Sequence, residues 1–239
     1  MKLQLLIFLF LIGTSCTAQI DIQDQAVRNK KFIFEEKDGI VAVEAEHFYK
    51  QGKNEIRAWF QSDSISSNDL IDEGVKSASK NKYIQILPDT RVTHDDEVVR
   101  GENFTNTPGQ IGILHYKVKF NETGRYYVWV RAFSTGSEDN GIHVGLDGEW
   151  PVSGKKMQWS EGRNEWTWAS KQRTKEEHCG IPYGIYLDIE TEGVHDIQFS
   201  MREDGFRFDK FLLTKDSLYT PKGKDIEEVI SRDKSLRLP

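Results

Sequence analysis

Polarity alternates residue by residue through most of the second half of this chain. Over 112–120, Leu114, Tyr116, Val118 and Phe120 alternate with His115, Lys117 and Lys119. Successive side chains of a strand point to opposite faces, so this is a strand with one buried face. After a turn at 121–124, the stretch 126–133 is apolar on both faces, as a central strand is. Further strands are expected at 141–146, 165–169, 184–189, 194–201 and 206–214, with Ile142, Val144 and Leu146 sharing one face of the first. Trp166 and Trp168 share a face of 165–169 and are expected in the core, as is Trp129. His195 lies on the face of Ile197 and Phe199 and reads as a buried histidine. Short strands about ten residues apart, punctuated by Gly, Asp and Asn, predict an all-β sandwich of the jelly-roll kind or a barrel.

The first half is sparser. A short strand is expected at 32–34, others near 57–61 and 82–87, and polar loops at 49–82 and 88–109. The exception is 40–48, IVAVEAEHF, which reads as a strand with Val41, Val43 and Ala45 facing the core. Glu44 and Glu46 would then lie side by side on the other face. Two such carboxylates repel unless a cation sits near them.

The start has the form of an export signal. Lys2 precedes an apolar run over 3–12 and small residues to Ala18, where cleavage is expected. The alternative is a lipid anchor through Cys16. The expected divisions are a signal segment 1–18, a linker 19–36, a sandwich 37–216 and a tail 217–239. In the tail Ile226, Val229 and Ile230 have helical spacing, so a short docked helix or a frayed end is expected. No later apolar run is long enough to span a bilayer. With Cys16 removed or lipidated, Cys179 has no partner, so a periplasmic or extracellular domain without a disulfide is expected. The formal charge of −6 argues against nucleic acid and against an anionic membrane surface.

Four constellations bear on chemistry. Glu44 and Glu46 would be joined by Asp209 if the first and last strands pair. Three acids with loop carbonyls suit calcium, which takes 6–8 oxygens. A solvated pair neutralised by Lys210 or Arg207 fits the spacing equally well. Next, Trp150, Trp159, Trp166, Trp168, Tyr183 and Tyr186 crowd one region as a candidate sugar platform, and of these Trp150 and Trp159, in a polar, Gly-bearing loop at 147–164, are the ones expected to be exposed rings on which a sugar face stacks. The loops 137–141 and 202–205 offer Asp139, Asn140, Arg202 and Asp204 as hydrogen-bonding partners for a ligand, or as ordinary turns. Finally, His115, Tyr116, Arg131 and His143 lie on strands whose pairing would gather an acid–base cluster. No GxSxG, P-loop or HExxH motif is present.

The residues VEAEHF, YYVWVRA, GLDG and GFRFDKFLL together resemble a carbohydrate-binding module of the family 6 and 35 type, a galactose-binding-like and malectin-like β-sandwich, over roughly 37–216. The resemblance implies a structural calcium held by Glu44, Glu46 and Asp209, and sugar contact through Trp159, Asn140 and Trp150. The neighbourhood Asp204-Gly205-Phe206-Arg207 departs from the resemblance, because an Asn is usual shortly before the last-strand Asp. The expected protein is an exported, non-catalytic binder of a polysaccharide or oligosaccharide, a partner of carbohydrate-active enzymes. A lyase or glycoside hydrolase on the same type of sandwich is the alternative. Trp159→Ala is expected to impair sugar binding more than folding.

Overall fold

A computed structural model describes residues 31–52, 56–62, 77–224 and 226–232. The signal segment, Cys16 and the linker as far as residue 30 lie outside the described residues.

The strands, in chain order, are β1 Phe34–Glu35, β2 Ile40–Glu44, β3 Lys50–Gly52, β4 Ala58–Gln61, β5 Ile84–Leu87, β6 Ile113–Phe120, β7 Gly124–Phe133 and β8 Gly141–Leu146. They continue as β9 Met157–Gln158, β10 Trp166–Ala169, β11 Lys171–Gln172, β12 Ile181–Pro182, β13 Tyr186–Ile189, β14 Gly193–Met201 and β15 Arg207–Thr214. One sheet runs β1-β6-β14-β8-β9-β11-β12, with β3 also on β6. The other runs β10-β7-β15-β5-β4, with β13 also on β7 and β2 on β15. The expected all-β sandwich is the observed fold.

The core is the apolar half of each alternating strand. Leu114, Tyr116, Val118 and Phe120 of β6 meet Val128, Val130 and Ala132 of β7 across the gap between the sheets. Its centre is aromatic, with Tyr116 and Phe199 each 4.9 Å from Phe211. The Tyr116 hydroxyl donates to the Ala45 carbonyl at 2.7 Å, so the one polar atom of that ring is satisfied.

The stretch 40–48 is a strand only as far as Glu44. Ala45–His47 form a 3-10 turn, so Glu46 leaves the strand register. Val41, Val43 and Ala45 face the core as expected. The first strand of this stretch pairs antiparallel with the last, Glu44 opposite Lys210 and Ile40 opposite Thr214. β15 carries a bulge against β7: Phe208 lies opposite Ala132 and Lys210 opposite Arg131, leaving Asp209 as the extra residue. Bulges re-aim side chains, and Asp209 is fully buried.

The tail contains no helix among its described residues. Its end lies at the edge of the first sheet. Glu35 N–H donates to Val229 O at 2.8 Å, and Ser231 N–H to Ile33 O at 2.7 Å. Ile230 bridges Phe34. Backbone pairing thus replaces the helix that the spacing of Ile226, Val229 and Ile230 pointed to. On the N-terminal side, β1 lies parallel to β6, so the sandwich begins before residue 37.

Candidate functional site

The three acids converge at the β2–β15 pairing, buried, with cations of the chain among them. Lys210 Nζ lies 3.2 Å from Glu44 Oε1, which also accepts from Ser79 Oγ at 2.8 Å. Arg131 Nη1 donates to Asp209, and Ser79 N–H donates to the same carboxylate at 2.7 Å. Burial pushes the Glu46 carboxyl up to about 7, with Glu44 and Asp209 adding to the rise. Burial also pushes Asp209 up to about 6, against the pull of Arg131. Glu44 Oε2 is buried with no hydrogen-bond partner among the described residues. Calcium would need these oxygens for itself, and it would have to displace Lys210 and Arg131. Among the described residues no group of three or more His, Cys, Asp or Glu is placed to hold a metal ion. In this arrangement the chain's own cations, Lys210 and Arg131, meet the buried carboxylates and form an ionic clasp. Lys210 fills the neutralising role that the spacing left open, and Arg131 takes the place of Arg207.

The loop residues expected to meet sugar are built into the fold. Trp159 is 3 % exposed, so the expected exposed ring is corrected to a core residue. Its ring packs against Phe206 at 5.1 Å, and its indole N–H donates to Thr167 O at 3.2 Å. Trp150 is half-buried against Gly109 and Gly145, where a Cβ would come within 2.4 and 2.9 Å of the indole. Asn140 is buried, donating to Trp159 O at 2.8 Å and accepting from Gln158 at 2.8 Å. Asp139 accepts from Ser134 Oγ, from the N–H and Oγ1 of Thr135 and from Gly136 N–H, at 2.8–3.1 Å, and so closes its own loop. Arg202 is buried beside Glu203, over the Phe104 ring at 5.0 Å. Asp204 accepts from Arg57 at 2.7 Å and from Thr90 N–H and Oγ1 at 2.8 Å. In the 137–141 and 202–205 loops all four residues are thus buried and bonded within the chain.

His115, Tyr116, Arg131 and His143 are not brought together. Tyr116 is in the core and Arg131 is on the opposite sheet with Asp209. His143 is fully buried, its Nδ1 accepting from Lys156 N–H at 2.9 Å and its Nε2 3.2 Å from Thr105 O. His115 pairs with Asp196 at 2.7 Å on the outer face of the first sheet. His195 is half-buried rather than in the core, bonded to Asp147 at 2.6 Å.

The exposed aromatic surface is elsewhere. On β7 the core takes Val128, Val130 and Ala132, so Trp129, Arg131 and Phe133 point outward. On β10, Trp166 lies opposite Phe133 and Trp168 opposite Arg131, which puts both indoles on that outer face. Both are half-buried, which corrects their expected place in the core. Trp129, Trp168 and Tyr183, with Ala169, Ser170, Lys171 and Pro182, line a cleft of ≈ 190 Å³. Trp129 and Tyr183 meet edge to face at 5.5 Å. Tyr183 takes a left-handed backbone, φ 56°, uncommon for a bulky residue, and this turns it over the cleft. The three rings differ in their polar tips. Trp168 Nε1 donates to Gly223 O at 2.9 Å, and Tyr183 OH lies 3.2 Å from Thr220 Oγ1. Trp129 Nε1 is buried with no acceptor among the described residues. Lys171 Nζ, at the rim, bonds Glu161 at 2.8 Å.

A larger recess of ≈ 660 Å³ lies by the β4 edge, lined by Ile56, Arg57, Ala58, Phe60, Leu87, Pro88 and Asp89. Its lining carries one ring, Phe60, and no indole. Size favours this recess, but chemistry favours the smaller cleft, because clustered rings are what a sugar's C–H face stacks on.

Comparison with known proteins gives the following. A curated relative, "Uncharacterized protein P23" of Formosa agariphila, is 55% identical over 225 residues. The match takes in 92% of this chain and 54% of the relative, so the chain spans about half the length of that protein. Among solved structures, a family 35 carbohydrate binding module from Clostridium thermocellum has a TM-score of 0.40 at 14% identity, over 73% of this chain and 96% of that one. The exo-beta-1,3-galactanase Pc1,3Gal43A of Phanerochaete chrysosporium has a TM-score of 0.42 at 13% identity, over 74% of this chain and 30% of that one. Both scores are below 0.5, and the assignment rests on sequence instead. Residues 33–221, nearly the whole sandwich with the first part of the tail, match the glycosyl hydrolase family 115 C-terminal domain, and the chain belongs to that family.

Proposed function

We propose that this chain is a carbohydrate-binding domain, exported and non-catalytic, whose sugar site is the cleft between Trp129, Trp168 and Tyr183. One observation carries the reading: three aromatic rings, Trp129, Trp168 and Tyr183, line one cleft on the outer face of a sheet. A pyranose stacks its C–H face on such rings, and its hydroxyls meet the polar groups at the rim. The family, named for a domain of glycosyl hydrolases, supports the same class of ligand. A domain of this kind holds a polysaccharide near carbohydrate-active enzymes. Export rests on the apolar segment after Lys2.

Affinity electrophoresis through gels containing plant and algal polysaccharides, neutral and acidic, tests the proposal. Retardation of the wild-type chain by at least one glycan is expected, with loss of retardation in Trp168→Ala. No retardation by any glycan would overturn it. Release of reducing ends or of an unsaturated uronate by the purified chain would show catalysis, and the non-catalytic part would fall.

A further inference from the structure

We infer that the C-terminal tail is a working part of this cleft: Thr220 and Gly223 hold the two rings of its rim in the stacking position. The inference rests on the carbohydrate reading for its function, although its structural half stands alone. The tail leaves β15 at Thr214 and is tied down again far along the chain. Lys210 Nζ donates to Ile226 O, Lys80 pairs with Glu227, and His47 pairs with Glu228 at 2.8 Å. Beyond these, Val229 and Ser231 pair with the edge segment 33–35. Between the two fixed ends the chain crosses the outer face of the β10-β7-β15 sheet. Pro221 is buried there, while Thr220 and Gly223 are exposed on either side of it.

The contacts of this crossing fall on the cleft. Thr220 Oγ1 meets the Tyr183 hydroxyl and Gly223 O accepts the Trp168 indole N–H, so each rim ring is tied at its polar tip. Tyr and Trp each have two side-chain torsions, and freezing them on binding costs affinity. The tail makes that cost part of folding instead. It also satisfies the Trp168 donor. Gly223 has φ 56°, and a Cβ there would meet nothing within 4 Å, so glycine serves the backbone path that brings its carbonyl to the indole.

Two full-length variants test this: Thr220→Val at the contact, and Glu228→Gln at the remote anchor. Two readouts separate the inference from the reading beneath it. In the absence of glycan, acrylamide quenching of tryptophan emission should rise in Thr220→Val, with Trp168→Phe showing how much of the change is Trp168. On the polysaccharide that retards the wild type most, Thr220→Val should bind about three- to tenfold more weakly, the range for one lost hydrogen bond. Its melting temperature should stay within about 2 °C of wild type, since a surface substitution costs little. Glu228→Gln should weaken binding in the same direction. Unchanged quenching, or unchanged glycan affinity in both variants while Trp168→Ala abolishes it, would overturn the role of the tail and leave the carbohydrate reading intact. If the wild type is retained by no glycan, the carbohydrate reading falls and with it the tail's role in binding, while the quenching result still reports on the rim.

Discussion

Trp129 and Tyr183 meet edge to face, their ring centroids 5.5 Å apart and their planes at 82°. One comes from the middle of the central strand β7, the other from a left-handed turn before β13. β13 itself pairs with the first half of β7, Tyr186 opposite Tyr127, and this fixes where Tyr183 arrives. The two rings form a corner, and Trp168, on the neighbouring strand β10, closes it. A corner of rings offers a sugar both a stacking plane and an edge.

The corner can be taken apart one chemical feature at a time. Trp168→Ala removes a ring that supports no core and is expected to lower glycan affinity tenfold or more, with about 1.4 kcal/mol for each factor of ten. Trp129→Phe keeps a ring and removes an enclosed indole N–H, so most of the affinity should survive. Isothermal titration of both variants, with far-UV circular dichroism as a folding control, measures the split. A tenfold loss in Trp129→Phe would show that the indole donor meets the ligand.

Trp159 behaves in the opposite way. Buried against Phe206 and bonded to Thr167, it belongs to the core. Trp159→Ala should cost about 3–5 kcal/mol of stability, the range for deleting a buried aromatic. Urea unfolding checks this. The expectation from sequence is that this variant impairs sugar binding more than folding, but burial of the ring makes stability the first loss.

What the sequence disclosed and what it hid divide along one physical line. Alternation tells which side chains share a face, and it placed Leu114, Tyr116, Val118 and Phe120 correctly in the core. It does not tell whether the other face is open. Trp166 and Trp168 were rightly grouped, yet their face is the outer one. Loop position misled for Trp159, because the 147–164 loop folds back and delivers that ring against Phe206. In the tail, the helical spacing of Ile226, Val229 and Ile230 lost to backbone pairing with residues 33–35, a tertiary contact that no local pattern reveals. Tyr183 is legible as one of a crowd of aromatics with Trp166, Trp168 and Tyr186, but not its place over the cleft, which depends on a positive φ in a residue that rarely adopts one. Sequence alone poses the pairing of the 40–48 stretch with the last strand only as a condition, because no local pattern names a strand's partner. The lysine that settles on Glu44 could be named from its spacing, whereas Arg131 reaches Asp209 only through the bulge in β15.

His143 sets a pH dependence with a definite sign. Burial pushes its imidazole from 6.5 down to about 3. As pH falls below about 6.5 the unfolded chain takes up a proton that the folded chain refuses. Stability is therefore lost as pH falls from 6.5 towards 3, at up to about 1.4 kcal/mol per pH unit. Glu46 and Asp209 act the other way, since carboxyls raised by burial hold protons better when folded. The comparison must therefore be made between His143→Gln and wild type, glutamine being able to keep a donor and an acceptor. Urea midpoints at pH 7, 6, 5 and 4 should fall less steeply in His143→Gln, and parallel profiles would contradict the assignment.

The ionic clasp makes the sharpest claim about what holds β2 to β15. Glu44 and Lys210 are cross-strand partners, both fully enclosed, their charged atoms 3.2 Å apart. Removing one partner of a buried pair strands the other, at about 3–5 kcal/mol. Lys210→Met should therefore lower the melting temperature by roughly 10 °C, at about 2–4 °C per kcal/mol for a chain of this size. Replacing both partners together removes the stranded charge, so Glu44→Gln with Lys210→Met should recover most of that loss. Calcium makes a different demand on the same residues. If a metal closed the clasp, EDTA would lower the melting temperature and calcium would restore it, and removing Lys210 would relieve repulsion on the ion. With Lys210 and Arg131 as the closing charges, EDTA leaves the melting curve of the wild type unchanged. A fall of several degrees in EDTA, reversed by calcium and by no magnesium concentration tested, would replace the ionic clasp with a metal site at Glu44, Glu46 and Asp209.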